Sequence, residues 1–123
     1  MSLHDRPLSG RSILIVEDEP LIALEIHAAF NAAGASITSA ADTQEALRMI
    51  DVPGLSAAVV DINLGRDDCS VVCERLSRNG IPFVFYTGDA RPEIMLKWPN
   101  APVLTKLADK ERIVEVVAGV LRG

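Results

Sequence analysis

An α/β fold built on an open parallel sheet is predicted by three observations. Short unbroken apolar runs recur along the chain: Ile13-Leu14-Ile15-Val16, Ala57-Ala58-Val59-Val60, Phe83-Val84-Phe85-Tyr86 and Val103-Leu104. Runs without polar alternation mark strands that helices cover on both faces, and helical periodicity fills the segments between them. Each run is closely followed by residues able to do chemistry: Glu17-Asp18, Asp61, Thr87 and Lys106. In open α/β sheets, ligands sit outside the carboxyl ends of the strands. The pattern therefore describes a cup of three carboxylates with a hydroxyl and an ammonium at its rim.

The elements follow in order. Residues 1–10 read as an N-terminal tail and 11–123 as one folded domain. After the first strand, Pro20 can open a helix, where its missing amide hydrogen costs nothing. The apolar face of that helix is Ile22, Ile26, Ala29, Phe30 and Ala33, with His27 at its margin as a solvated side chain, and Gly34 is the stop. A short strand over residues 35–40 follows. Asp42 or Thr43 then caps a helix that turns Ala46, Leu47 and Ile50 inward and ends before Pro53-Gly54.

The third strand ends at Asp61, and the loop Ile62-Asn63-Leu64-Gly65-Arg66 leads to a helix capped by Asp67 or Asp68. Val72, Cys73 and Leu76 form its inner face, and Asn79-Gly80 ends it. The fourth strand follows Pro82. Pro92, Pro99 and Pro102 leave room for about two helical turns around residues 93–98. A brief fifth strand precedes a last helix beginning near Asp109, with Ile113, Val116, Val117, Val120 and Leu121 at helical spacing. Val114 lies off that stripe and is expected, with Trp98, on an exposed apolar patch.

Composition excludes several classes. The chain has 123 residues, 49% hydrophobic and 24% charged, as expected of one packed domain rather than a disordered segment. A net charge of -5 argues against direct nucleic-acid binding, which usually needs a basic face. No segment approaches membrane-spanning length, and Met1 to Gly10 lacks the features of an export signal, so a cytoplasmic location is expected. Cys69 and Cys73 fit a reducing compartment and read as small buried side chains. A CxxxC spacing without further ligands lacks a zinc pattern.

The acidic residues after strands one and three would gather oxygen ligands of the kind Mg2+ takes. A central carboxylate can also act as a nucleophile toward phosphorus, and Asp61 is the candidate. Lys106 and Thr87 could serve the charge that develops on a transferring phosphoryl group.

With these stretches together, the chain resembles the receiver domain of two-component response regulators, of the stand-alone single-domain type. The resemblance rests on Ile13-Leu14-Ile15-Val16-Glu17-Asp18-Glu19, Val59-Val60-Asp61-Ile62-Asn63-Leu64, Pro82-Phe83-Val84-Phe85-Tyr86-Thr87-Gly88 and Val103-Leu104-Thr105-Lys106. It implies a flavodoxin-like doubly wound sheet of five parallel strands in the order 2-1-3-4-5, with flanking helices and here a shortened fourth helix. It further implies Asp61 as phosphoacceptor, Thr87 and Lys106 as its catalytic partners, and Mg2+ held by Glu17, Asp18, Asp61 and the Asn63 carbonyl. Asp18 is then the direct ligand of the acidic pair and Glu17 acts through water. The implied partners are a sensor histidine kinase or a histidine phosphotransfer protein and a downstream protein target, in a two-component system or phosphorelay. Such a protein is a regulator rather than an enzyme in the ordinary sense.

The chain departs from the family pattern in three places. Val103 stands where an aromatic switch residue is usual, and Leu107 stands where a cis proline usually follows the lysine. The stretch between Thr87 and Lys106 is short. A cis bond before Leu107 would cost about 3–4 kcal/mol, so altered geometry at Lys106 is expected. Among rivals, a flavin-binding protein would need a phosphate cradle where Glu17-Asp18-Glu19-Pro20 stands. A hydrolase would usually carry a second acid where Asn63 stands. The principal alternative is a degenerate receiver acting as a phosphorylation-independent interaction module.

Overall fold

The computed structural model describes residues 6–64, 67–88, 92–106 and 108–122. The elements are β1 (Ser12–Val16), α1 (Pro20–Ala32), β2 (Ser36–Ala40), α2 (Thr43–Ile50), β3 (Ala57–Val60), β4 (Asn63–Leu64), β5 (Asp67–Asp68), α3 (Ser70–Arg78), β6 (Phe83–Thr87), α4 (Pro92–Lys97), β7 (Val103–Thr105) and α5 (Lys110–Arg122). Five strands form a parallel sheet in the order β2-β1-β3-β6-β7. With the two-residue strands β4 and β5 set aside, this is the order expected from the sequence.

Continuous apolar strands follow from covering both faces, since successive side chains point to opposite sides. On one face Leu14, Val16, Ala58, Val60 and Phe85 pack with Ala46 and Ile50 of α2, Val72, Cys73 and Leu76 of α3, and Ile94 of α4. On the other, Ile13, Ile15, Val59, Val84 and Tyr86 meet Ile26 and Phe30 of α1 and Ile113 and Val117 of α5. Loss of one of the large side chains among these, such as Leu14 or Ile113, to alanine costs about 2–5 kcal/mol.

Helix boundaries show where local chemistry decides. Pro20 opens α1, and the chain reverses after it at Gly34, whose φ is 94°. A Cβ there would stand 3.2 Å from the Ser9 Cα, so glycine permits both the turn and the close approach of the N-terminal segment. That segment is packed: the Leu8 amide donates to the Ala33 carbonyl at 3.0 Å, and the Leu8 side chain is buried. At α2, Asp42 Oδ1 accepts from the Glu45 amide at 2.9 Å. Asp42→Ala should therefore lower stability by about 1 kcal/mol, read as a shift in the urea midpoint with an unchanged slope.

Two expectations need correction. Asp67 and Asp68 do not cap α3; they pair antiparallel with Leu64 and Asn63. That ladder keeps the backbone extended through Asp68, so Cys69 takes the N-cap position and makes no side-chain cap bond. Val114 is not on an exposed patch: it is 7% exposed, because α5 packs beside α1 as well as on the sheet. The buried stripe of α5 is accordingly Ile113, Val114, Val117 and Ala118, with Val116 and Val120 half-buried. Trp98 is half-buried as well, edge-on to Phe83 at 6.4 Å. The fourth helix is short, six residues, as the prolines require. The expected altered bond between Lys106 and Leu107 lies outside the described residues.

Candidate functional site

Sheet register brings the polar residues together. Val16 pairs with Val60, so Glu17 and Asp61 leave adjacent strands side by side. The Asp61 amide still donates to the Val16 carbonyl at 3.0 Å, which holds the carboxylate at the end of β3. One strand further, Thr87 ends β6 and pairs with Thr105 of β7, and the Lys106 amide donates to the Thr87 carbonyl at 3.0 Å. Glu17, Asp61 and Thr87 are 4%, 3% and 2% exposed, and they are the buried polar residues among those described.

Lys106 is the centre of charge. Its Nζ lies 3.2 Å from Glu17 Oε1, 3.2 Å from Asp61 Oδ2 and 3.1 Å from Glu19 Oε1. Asp61 Oδ1 accepts from the Asn63 amide at 3.1 Å, which orients the carboxyl group. Asp18 and Glu19 are exposed on the rim, and the carboxylates of Glu17, Asp18 and Glu19 can bring one oxygen each within 4.8 Å of one another.

Electrostatics follow from this crowding. Burial, and then the neighbouring Asp61 carboxylate, push Glu17 up to about 8 against the opposing pull of Lys106. Burial alone would lower Lys106, but its hydrogen bond to Glu19 and its close charge contacts with Asp61 and Glu17 reverse that and hold it well above the ordinary lysine range. One cation thus faces three carboxylates. Glu17 Oε1 is buried and close to the Lys106 charge, yet it has no aligned hydrogen-bond donor. A buried carboxylate oxygen held only by an ammonium that it shares with two other carboxyl groups, beside a cluster of oxygen donors, suits a hard divalent cation.

The family model for the response regulator receiver domain matches residues 13–118. The chain belongs to that family. Receivers are phosphoacceptor signalling domains rather than conventional enzymes. Among solved structures, the chain is similar to the BeF3-activated conformation of SdrG from Pseudomonas melonis Fr1, with 33% identity and a TM-score of 0.74, covering 92% of this chain and 98% of that one. A response regulator receiver protein from Sinorhizobium medicae WSM419 aligns with a TM-score of 0.85 at 21% identity, over 94% of this chain and 98% of that one. A CheY-like receiver domain protein from Methanospirillum hungatei JF-1 aligns with a TM-score of 0.83 at 23% identity, over 93% and 95%. No curated protein matches in sequence.

In this receiver the structure brings Glu17, Asp61 and Lys106 into direct contact and places Asn63 on Asp61 and Thr87 at the neighbouring strand end. Nothing in the acidic run itself singles out Glu19, although its carboxylate reaches Lys106. Tyr86 and Lys110 were also missed: Lys110 Nζ donates to the Tyr86 hydroxyl at 2.7 Å. A phenol inside an otherwise apolar strand was the available signal, since a buried Tyr hydroxyl needs a partner. A separate cavity of about 510 Å3, lined by Phe83, Trp98 and Pro102 among others, lies at the opposite edge of the sheet, away from the carboxylates.

Proposed function

We propose that this receiver takes a phosphoryl group onto Asp61 from the phosphohistidine of a sensor kinase or a histidine phosphotransfer protein, with Mg2+, and thereby switches its contacts with a downstream protein. The observation that carries this reading is the buried Asp61 carboxylate, with one oxygen on the Asn63 amide and the other 3.2 Å from the Lys106 ammonium. Asp61 Oδ2 attacks phosphorus, the phosphorus–nitrogen bond of the donor breaks, and its electron pair stays on the imidazole nitrogen; the ring leaves as neutral imidazole when its other nitrogen carries a proton, and otherwise takes a proton from water to become neutral. Lys106 pairs with the equatorial oxygens, giving up contacts to Glu19 and Glu17. The Thr87 hydroxyl donates to the same oxygens.

Asp18, Asp61 and the Asn63 carbonyl would hold Mg2+ directly, with Glu17 acting through water. Bound there, the ion supplies charge neutralisation between the carboxylates and the incoming phosphoryl group. The BeF3-activated conformation of SdrG supports the reading, since a beryllofluoride on a carboxylate has the tetrahedral shape of a phosphoryl group. A cytoplasmic setting fits the buried thiols Cys69 and Cys73, whose Sγ atoms stand 3.7 Å apart, and no described helix is long and apolar enough to cross a membrane.

Incubation with a small phosphodonor and Mg2+, followed by intact-mass measurement, should show the addition of one phosphoryl group. An unchanged mass with every donor class, together with partner binding indifferent to donor, would favour the phosphorylation-independent module instead. Calorimetric titration with Mg2+ tests the ligand set. Asp18→Ala should weaken binding by about tenfold or more, and Glu17→Ala by less, because a ligand in direct contact contributes more than one acting through water. Equal losses would contradict the assignment.

A further inference from the structure

We propose that Tyr86 and Lys110 are positioning residues for Lys106, fixing the turn after β7 through the Lys106 backbone carbonyl so that the ammonium stays aimed at Asp61. The inference rests on the proposed role of Lys106 toward the phosphoryl group. Tyr86 precedes Thr87 on β6 and points to the opposite face, where its ring is buried with α1 and α5. Its hydroxyl accepts from Lys110 Nζ at 2.7 Å, which leaves its own proton for an acceptor. That acceptor is the Lys106 carbonyl, at a long 3.4 Å.

Two consecutive residues of one strand thus hold both main-chain groups of Lys106: the Thr87 carbonyl takes its amide hydrogen at 3.0 Å, and the Tyr86 hydroxyl meets its carbonyl. Lys110 is itself braced, with its Nζ 3.7 Å from Glu25 Oε2 of α1. The chain lacks a proline after Lys106, the residue that would stiffen this turn covalently. The phenol and the second lysine supply stiffness by contact instead. Since the rate of a positioned reaction is sensitive to shifts of the order of 1 Å, a loosened turn should be felt in transfer before it is felt in folding.

The test measures phosphorylation of the full chain by a small phosphodonor in saturating Mg2+, for Tyr86→Phe, Lys110→Met, the double variant, Lys110→Arg and Lys106→Ala. Tyr86→Phe keeps the ring and removes one hydroxyl. Its maximal rate should fall by about three- to tenfold, the factor an ordinary net hydrogen bond represents, with the donor concentration for half-maximal rate and the Mg2+ affinity unchanged. Lys110→Met should lose a similar factor, the double variant little more than either single change, and Lys110→Arg should keep most of the parental rate. If Tyr86→Phe is too unstable to assay, Lys110→Met, which alters a partly exposed side chain, decides the matter alone. Parental rates in Tyr86→Phe or Lys110→Met while Lys106→Ala is impaired would overturn the positioning role and leave the proposed function standing. Parental rates in Lys106→Ala would overturn the role of Lys106 and the positioning role with it, and the phosphoryl group gained would leave the acceptor function standing.

Discussion

Asp61→Asn should accept no phosphoryl group from any donor and should stay folded. The amide nearly matches the carboxylate in shape and can still receive the Asn63 amide hydrogen bond, but it is a far poorer nucleophile. Its effect on stability has a definite sign. In the parent, Asp61 and Glu17 compete for one ammonium while both are buried, so removing one negative charge relieves more repulsion than it loses attraction. Without Mg2+ at pH 8, the variant should be more stable than the parent by about 1–2 kcal/mol, and the pKa of Glu17 should fall. Urea unfolding in chelator gives the first number. A variant less stable than the parent under those conditions would mean that Lys106 and Asp61 act as a stabilising pair.

Glu17 makes the metal-free protein sensitive to pH. Its carboxyl titrates near 4.5 as a free side chain and is pushed up to about 8 in the fold, so the folded state holds its proton more tightly than the unfolded state does. A raised folded value contributes stability that is fully present below 4.5 and is lost as pH climbs toward and through 8. Stability without Mg2+ should therefore decline from pH 5 to pH 8. Glu17→Gln removes the titration: it should match the parent at pH 5 and exceed it at pH 8 by about 2 kcal/mol, less than the full linkage because Lys106 can adjust toward the ionised carboxylate. Saturating Mg2+ should close the gap by stabilising the parent. Parallel stability curves for the two proteins across this range would show that Glu17 is ionised throughout.

Most of the fold and the centre of the site were legible because both depend on strand periodicity. A four-residue apolar run such as Ala57–Val60, with polar chemistry at its end, fixes the direction of a strand and the edge on which Asp61 emerges. Strand order came from the family resemblance, since nothing local states that β3 and β6 are neighbours. What escaped were features set by tertiary contact. The capping propensity of Asp67 and Asp68 yielded to a ladder with Leu64 and Asn63, which periodicity cannot reveal in strands of two residues. The burial of Val114 escapes the helical period because the stripe on α5 is widened by α1, an element far away in the sequence. The Tyr86–Lys110 contact likewise joins a strand to a helix across 24 positions.

Chemical mapping of the phosphoryl position tests the central claim most directly. An acyl phosphate on an aspartate is reduced by borohydride to homoserine, which tandem mass spectrometry locates in the peptide. After treatment with a phosphodonor and Mg2+, homoserine should appear at position 61, only when the donor was present, and not when Mg2+ is withheld by chelator. Homoserine at position 18 instead, or a phosphoryl group that resists reduction and maps to Thr87, would contradict the assignment of Asp61 as the acceptor.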